Sequence, residues 1–410
     1  MEGVPYVLVM TLSVVMYKRL GISNTDIALY TSWLYLPWVI KPLWSPIVDI
    51  LKTKRYWIVA MQLIIGAALA GVALTLPGPA FFRWSLVFFW LMAFSSATHD
   101  IAADGFYMLA IDDSNQAWFV GIRSTFYRIA MIAGQGFLVM IAGQLENSTG
   151  DIAGAWSTTI WITCGVFLLF TVYHWWALPR PASDVSTAEA SVSGVLTEFG
   201  ATFASFFKKP AVGTSIAFFL FYRFSEAQLV KMAAPFLLDS LESGGLGLTT
   251  TEVGFVYGTV GVVSLTLGGL LGGFMASRNG LKYWLWPMVV AINLPNLVYF
   301  LLAVFQPEST LMVHIAVAVE QFGYGFGFTA FMLYMIYAAD GKHKTAHFAI
   351  CTGFMALGMM LPGMASGWIQ EALGYQNFFV WILIATIPGF FVASRVKIDP
   401  EFGKADKTAS

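Results

Sequence analysis

The residues of this chain best equipped for chemistry are ionisable groups embedded in apolar runs: Lys41, Asp100, Asp104, Arg123, Arg128, Arg223, Glu226, Lys231 and Glu320. His99 adds a titratable imidazole. An ionised side chain at the centre of a bilayer costs at least about 2.5–3.5 kcal/mol even on a lenient insertion scale. Groups kept at that cost face a bundle interior or an aqueous path. The chemistry they suit is recognition of a charged solute and carriage of protons. A carboxyl group moved between a dry setting and a hydrated or cation-paired one takes up and gives up a proton.

Their spacing suggests partners. Asp100 and Asp104 are four residues apart and share a helical face. A tight hairpin at residues 112–116 brings Asp104 opposite Arg123, and Asp100 to the level of Tyr127 and Arg128. This gives an expected cluster of two acids and two bases, which can serve as a lock between helices or as a gate. Arg223 and Glu226, three apart, are neighbours on a later helix, and Glu320 lies at depth on another. Glu226 or Glu320 is the expected coupling acid; the plainer reading makes each a satisfied structural partner of Arg223 or Lys231. Lys41, beside Pro37 and Pro42, either snorkels to the headgroups or touches the solute. Trp33, Tyr35 and Trp38 can stack on sugar rings, though such aromatics also serve as packing or interface anchors.

The elements that must hold these groups are membrane helices. Of 410 residues, 58% are hydrophobic and 11% charged, against roughly 25% charged in a soluble domain. A soluble core of this length could not hide that much apolar surface. Apolar runs predict spans at 1–19, 27–50, 56–76, 84–111, 117–142 and 156–178, then 211–237, 251–276, 282–305, 311–338, 346–370 and 377–395. The first run, 4–17, is short for a crossing, so either Met1 lies inside the first helix or further residues precede it. The expected organisation is a six-helix bundle over 1–178, a linker over 179–210 with a short interfacial helix at 195–207, a second bundle over 211–395, and a tail at 396–410.

Charge sets the orientation. Of the 22 Lys and Arg residues, fourteen fall in loops and tail on the side of the termini, and three (Lys18, Arg19, Arg83) on the other. The excess predicts that both termini are cytoplasmic. With a net charge of −1, no nucleic-acid partner is expected. Cys164 and Cys351 lack metal-ligand spacing and read as packing residues. Gly254/Gly258, Gly268/Gly272 and Gly363/Gly367 are small-residue pairs that allow helices close approach. Paired-histidine motifs, a nucleophile elbow and a phosphate-binding glycine loop are missing from the sequence, and the loops are short. Enzymatic and signalling functions are accordingly not expected.

Two turns carry an internal repeat. After span two, Ser45-Pro46-Ile47-Val48-Asp49 is followed by Lys52, Lys54 and Arg55; after span eight, Gly272-Gly273-Phe274 leads to Arg278, Gly280 and Lys282. Both resemble, in degraded form, the Gly-x-Leu-x-Asp-Arg-x-Gly-Arg loop of the major facilitator superfamily, with Asp49 and Arg278 as the expected gating-loop residues. The strings Lys41-Pro42-Leu43-Trp44-Ser45-Pro46 and His99-Asp100-Ile101-Ala102-Ala103-Asp104 are similar to those of AmpG-type muropeptide permeases, of the peptide–acetyl-CoA–drug transporter branch of that superfamily. The likeness continues at 121–128, at Arg223-Phe224-Ser225-Glu226, at Glu320-Gln321-Phe322-Gly323 and at 346–349. His99 stands where that family suggests Gln, and 105–107 departs from its usual continuation.

The resemblance implies an all-α integral membrane protein with twelve transmembrane helices in two six-helix bundles. It implies proton-dependent import of anhydro-muropeptides across a bacterial inner membrane. The alternative keeps the fold and changes the cargo to a sugar, a peptide or an acyl-CoA. Expected partners are a polar solute, protons and the bilayer; a monomer is expected, without cofactor or metal. By the same likeness, Asp100 and Asp104 match paired acids, and Arg223, Glu226 and Glu320 match charged positions of the second half.

Overall fold

The computed structural model of the chain describes residues 1–110, 113–182, 184 and 192–404; the side chains at 49, 108, 110, 113–121, 192–196 and 198 are outside that description. No strand occurs among the described residues. Thirteen helices follow in order: α1 (3–19), α2 (24–51), α3 (Lys54–Thr75), α4 (Phe81–Ala110), α5 (113–149), α6 (Ile152–Ala177), α7 (Val192–Phe207), α8 (212–238), α9 (Thr250–Asn279), α10 (Leu281–Phe305), α11 (Thr310–Ala339), α12 (344–373) and α13 (375–395). Eight helical stretches are long and apolar enough to cross a membrane by length and composition. The last, Lys344–Arg395, is broken at Gly374, whose φ of +71° suits glycine, and so supplies two spans. Short α1 and the interrupted helices α2 and α8 bring the spans to twelve, with α7 outside that set.

Local signals set the helix starts. Ser23, Thr53 and Asp151 accept from backbone N–H groups of the first turns of α2, α3 and α6, and Thr249 with Glu252 forms a capping box on α9. Asp184 of the linker reaches back to the start of α3, accepting from Lys54 N at 2.7 Å and Arg55 N at 3.0 Å. The fifth helix runs seven residues beyond the expected 142, to Thr149. The hairpin expected at 112–116 is shorter: α5 already begins at Asp113, and 111–112 fall outside the described residues.

Helices α1–α6 and α8–α13 form two bundles that touch through glycine faces. A Cβ on Gly258 of α9 would stand 1.9 Å from the Cα of Gly136 on α5, and one on Gly367 of α12 would stand 2.0 Å from the carbonyl oxygen of Asn24 on α2. The expected pairs Gly254/Gly258 and Gly363/Gly367 therefore lie on inter-bundle seams, while Gly268/Gly272 pack within the second bundle against α11.

Helices break where they meet. α2 is interrupted at Leu34 and Tyr35 and tightens to a 3₁₀ turn over Lys41–Leu43, near Pro37 and Pro42. α8 breaks at Tyr222 and Arg223. Wide π turns interrupt α1 (Leu8–Leu12), α5 (Ile132–Phe137) and α9 (Val256–Gly261). Interrupted membrane helices lie where they border a cavity or a binding site.

Candidate functional site

The broken segments converge on a polar cluster between the bundles. The break in α8 puts Arg223 at the start of a helix whose first turn carries Glu226. The guanidinium clasps that carboxylate at 2.7 and 3.2 Å, donates to the Tyr324 hydroxyl at 2.7 Å, and stacks on Phe328 at 4.8 Å. Arg223 and Glu226 are both buried. From the first bundle, Tyr6 of α1 and Tyr35 of α2 lie within electrostatic reach of both. Tyr6 packs edge-on against Trp38, ring centroids 5.4 Å apart. The Trp38 indole N–H donates to Asp100 at 3.0 Å, leaving the second Asp100 oxygen buried without a partner among the described residues. Lys41 lies within electrostatic reach of Asp100.

Glu320 of α11 is buried nearby, within reach of Glu226, and has no ion pair among the described residues. It accepts from Gln321 at 2.9 Å and lies within electrostatic reach of Tyr299, whose hydroxyl meets that of Tyr257. These hydroxyls of α9 and α10 are its polar surroundings.

Asp104 and Arg123 meet across α4 and α5 as the spacing suggests, but the rest of the expected four-membered cluster does not assemble. Arg123 also holds Glu2, at 2.5 and 3.2 Å. Arg128 makes no ion pair among the described residues, and Asp100 turns to Trp38 of α2. The first helix supplies other partners: Glu2 to Arg123, and Tyr6 against Trp38, the residue that holds Asp100. Tyr127, 38% exposed, stays within electrostatic reach of Asp100 and of Tyr324 across the interface. His99 bonds to Gln62 at 3.0 Å, and Gln62 to His174 at 3.1 Å. These three line, with Glu2, Arg123 and Tyr127, a cavity of about 420 Å³ within the first bundle. Arg278 stacks on Phe274 of its own helix at 5.6 Å; the Asp49 side chain lies outside the described residues.

The two ends of the interface differ. Away from the termini, Lys18 pairs with Asp239 at 2.6 Å, Asn24 bonds to Gln370 at 2.6 Å and Tyr375 at 3.0 Å, and Thr25 to Glu371 at 2.6 Å. Glu146, gripped by Arg19 and Trp156, accepts from Thr250 across the seam at 2.7 Å. Every side-chain hydrogen bond between the bundles among the described residues lies in this half. On the termini side, α2 meets α7 and α12 around a cavity of about 300 Å³ lined by Pro42, Ser45, Thr202 and His343. The interface is sealed at one end and cleft at the other.

Sequence reasoning gives no role to Tyr6, Gln62, His174, Tyr257, Tyr299 and Tyr324, although Tyr324 falls in the family-like string that begins at Glu320. Each lies within an apolar run, and spacing alone does not single it out.

Comparison with known proteins follows the same lines. Residues 5–347 match the model of the Major Facilitator Superfamily. The chain is 25% identical over 407 residues to a putative transporter AmpG 4 of Rickettsia conorii, covering 95% of this chain and 92% of that one. It is 24% identical to the anhydromuropeptide permease of Escherichia coli K12, covering 87% and 69% respectively. Among solved structures, the inward-open xylose transporter XylE of E. coli superposes with a TM-score of 0.68 at 10% identity, covering 97% of this chain and 93% of that one. A bacterial homologue of the human lysosomal transporter Spinster, inward-facing and occupied, gives 0.68 at 16% identity, covering 97% and 95%. With twelve spans, interrupted helices and a charged site between two bundles, the chain is a multi-pass membrane transporter, not an enzyme, and belongs to the Major Facilitator Superfamily.

Proposed function

We propose that the chain imports a polar solute together with protons across a bacterial inner membrane, with both termini cytoplasmic, and that the solute is an amino-sugar peptide of the anhydro-muropeptide class. The observation that carries this is the inter-bundle site itself. Charges of both signs, Asp100 and Lys41 from one bundle and Arg223, Glu226 and Glu320 from the other, surround a group of tyrosines and Trp38. A peptide bearing carboxylate and ammonium groups finds partners for both, and sugar rings find aromatic faces. Similarity to a protein named anhydromuropeptide permease supports the choice of solute.

The mechanism uses residues 1–178 and 211–395 as two bodies linked by 179–210. They rock about the site, so that the sealed end, taken as the periplasmic one, opens as the cleft end closes. Glu226 is held by Arg223, whereas Glu320 makes no ion pair among the described residues, so its charge changes most readily between dry and hydrated settings. Glu320 is therefore the coupling acid. Asp100, with one unsatisfied oxygen, together with Lys41, Asp104, Arg123, Tyr127 and Gln321, contacts or orients the solute. His99 braces α4 through Gln62.

Uptake of labelled anhydro-muropeptide into proteoliposomes, with and without a protonophore, tests the reading. Accumulation that collapses with the protonophore is expected; accumulation indifferent to it removes the coupling, and no uptake removes the solute.

A further inference from the structure

Lys231 of α8 is 1% exposed, yet it makes no ion pair among the described residues. Its ammonium donates to the Thr31 hydroxyl of α2 at 2.9 Å and lies over the Tyr35 ring at 5.3 Å. Next to Thr31 in the chain, the Ser32 hydroxyl is fully buried and has no hydrogen-bond partner among the described residues. Both line one seam at Gly363 of α12, where a Cβ would stand 2.7 Å from Ser32 Oγ and 3.5 Å from Lys231 Cγ. Other ionic groups near the sealed end have partners: the buried Glu146 has Arg19, and the half-buried Asp239 has Lys18. An ammonium offers three donors and a hydroxyl one, and here most of that capacity is unused.

The place matters as much as the deficit. Tyr35 joins Lys231 to the central cluster, since its other neighbours are Tyr6 and, within electrostatic reach, Arg223 and Glu226. One turn further along α12, Gly367 packs on Asn24 of the seal. In the proposed rocking, parting of the seal separates α2 from α8 and releases the bond to Thr31.

We infer that Lys231 and Ser32 form a binding position for a single carboxylate of the solute, covered in this state and presented when the sealed end opens. The missing partner is one negative charge. A lone ammonium with one free hydroxyl on the same seam matches a carboxylate, whereas a phosphate dianion asks for more cationic donors. The inference deepens the transport reading and rests on it, but any solute carrying a carboxylate satisfies it.

The test compares uptake of an anhydro-muropeptide with that of its fully amidated form in proteoliposomes of wild type, Lys231→Gln, Lys231→Arg and Ser32→Ala. In Lys231→Gln the half-saturating concentration of the acid form is expected to rise about thirtyfold or more, as for loss of one partner of a buried charged hydrogen bond. The amide form shifts about twofold at most, Lys231→Arg keeps the preference for the acid, and Ser32→Ala weakens it to a smaller degree. Equal shifts for acid and amide, or none for either, overturn the inference by reducing Lys231 to packing. So does lost proton flux with unchanged solute affinity, which makes it a proton carrier. If wild type transports neither form, the solute reading fails alone. Thermal stabilisation by lactate, citrate and N-acetylated amino acids beside their amides then decides: a carboxylate that stabilises wild type but not Lys231→Gln supports the position, and none doing so overturns it.

Discussion

Arg123 and Arg223 each hold a carboxylate, in opposite settings. The Arg123 side chain is 39% exposed, borders a cavity and is shared between Glu2 and Asp104. The Arg223 side chain is 8% exposed, grips one acid and is walled by Tyr324, Phe328 and Phe331. A hydrated pair is loose, worth about 0–1 kcal/mol, and free to exchange partners. A dry pair gains little net stability over apolar residues of equal volume, yet leaves a costly charge behind when one member goes. The proposed reading gives the first bundle charges that a solute can borrow, and the second one fixed pair beside Glu320, which makes no ion pair among the described residues.

The largest effect is expected from splitting the dry pair. Arg223→Met should destabilise the protein by about 3–5 kcal/mol, read by thermal unfolding, while Arg223→Met with Glu226→Leu should recover most of that loss without recovering transport. If the single change is as mild as a surface substitution, the pair is hydrated and the contrast between bundles disappears. Next comes Glu320→Gln, which should abolish gradient-driven accumulation while leaving solute exchange partly intact; Glu226→Gln should impair both. Equal outcomes for the two would remove the distinction between a held acid and a free one.

A smaller effect is expected at the sealed end. Lys18→Glu breaks the pair with Asp239, and a cysteine placed near Tyr35 should then react faster with a membrane-impermeant maleimide; Lys18→Glu with Asp239→Lys should reverse this. Unchanged labelling would mean that the glycine seams alone close that end. The smallest effect belongs to the hydrated cluster: Arg123→Gln should change stability by about 1 kcal/mol or less in unfolding measurements, while lowering uptake. A large loss of stability there would make Arg123 a structural lock.

Much of the architecture is legible in the sequence because apolar run length and charge placement are dictated by lipid. The expected spans track the observed helices to within a few residues except at the end of α5, where Gly143 and Gln144 dilute the apolar signal before Thr149. The inter-bundle glycines are readable for a similar reason, since small residues at spacing four mark close contacts. The site is legible only where it is charged. Arg223 with Glu226 and Asp104 with Arg123 meet as spacing on or between neighbouring helices suggests. Asp100 with Trp38 joins helices whose relative rotation no pattern encodes. Tyr6 and Glu2 escape notice because the first run is short, so their depth depends on where α1 packs. Lys231 reads as one charge among nine, and only its buried, unpaired position distinguishes it.

Simultaneous recording of solute uptake and internal pH in one proteoliposome preparation bears most directly on the claim that the charges between the bundles couple protons to solute. An outwardly buffered, solute-free exterior should leave internal pH steady, and adding solute should acidify the lumen in step with uptake, with Glu320→Gln uncoupling the two traces. Solute entering wild-type vesicles against its gradient with no movement of protons would contradict the account.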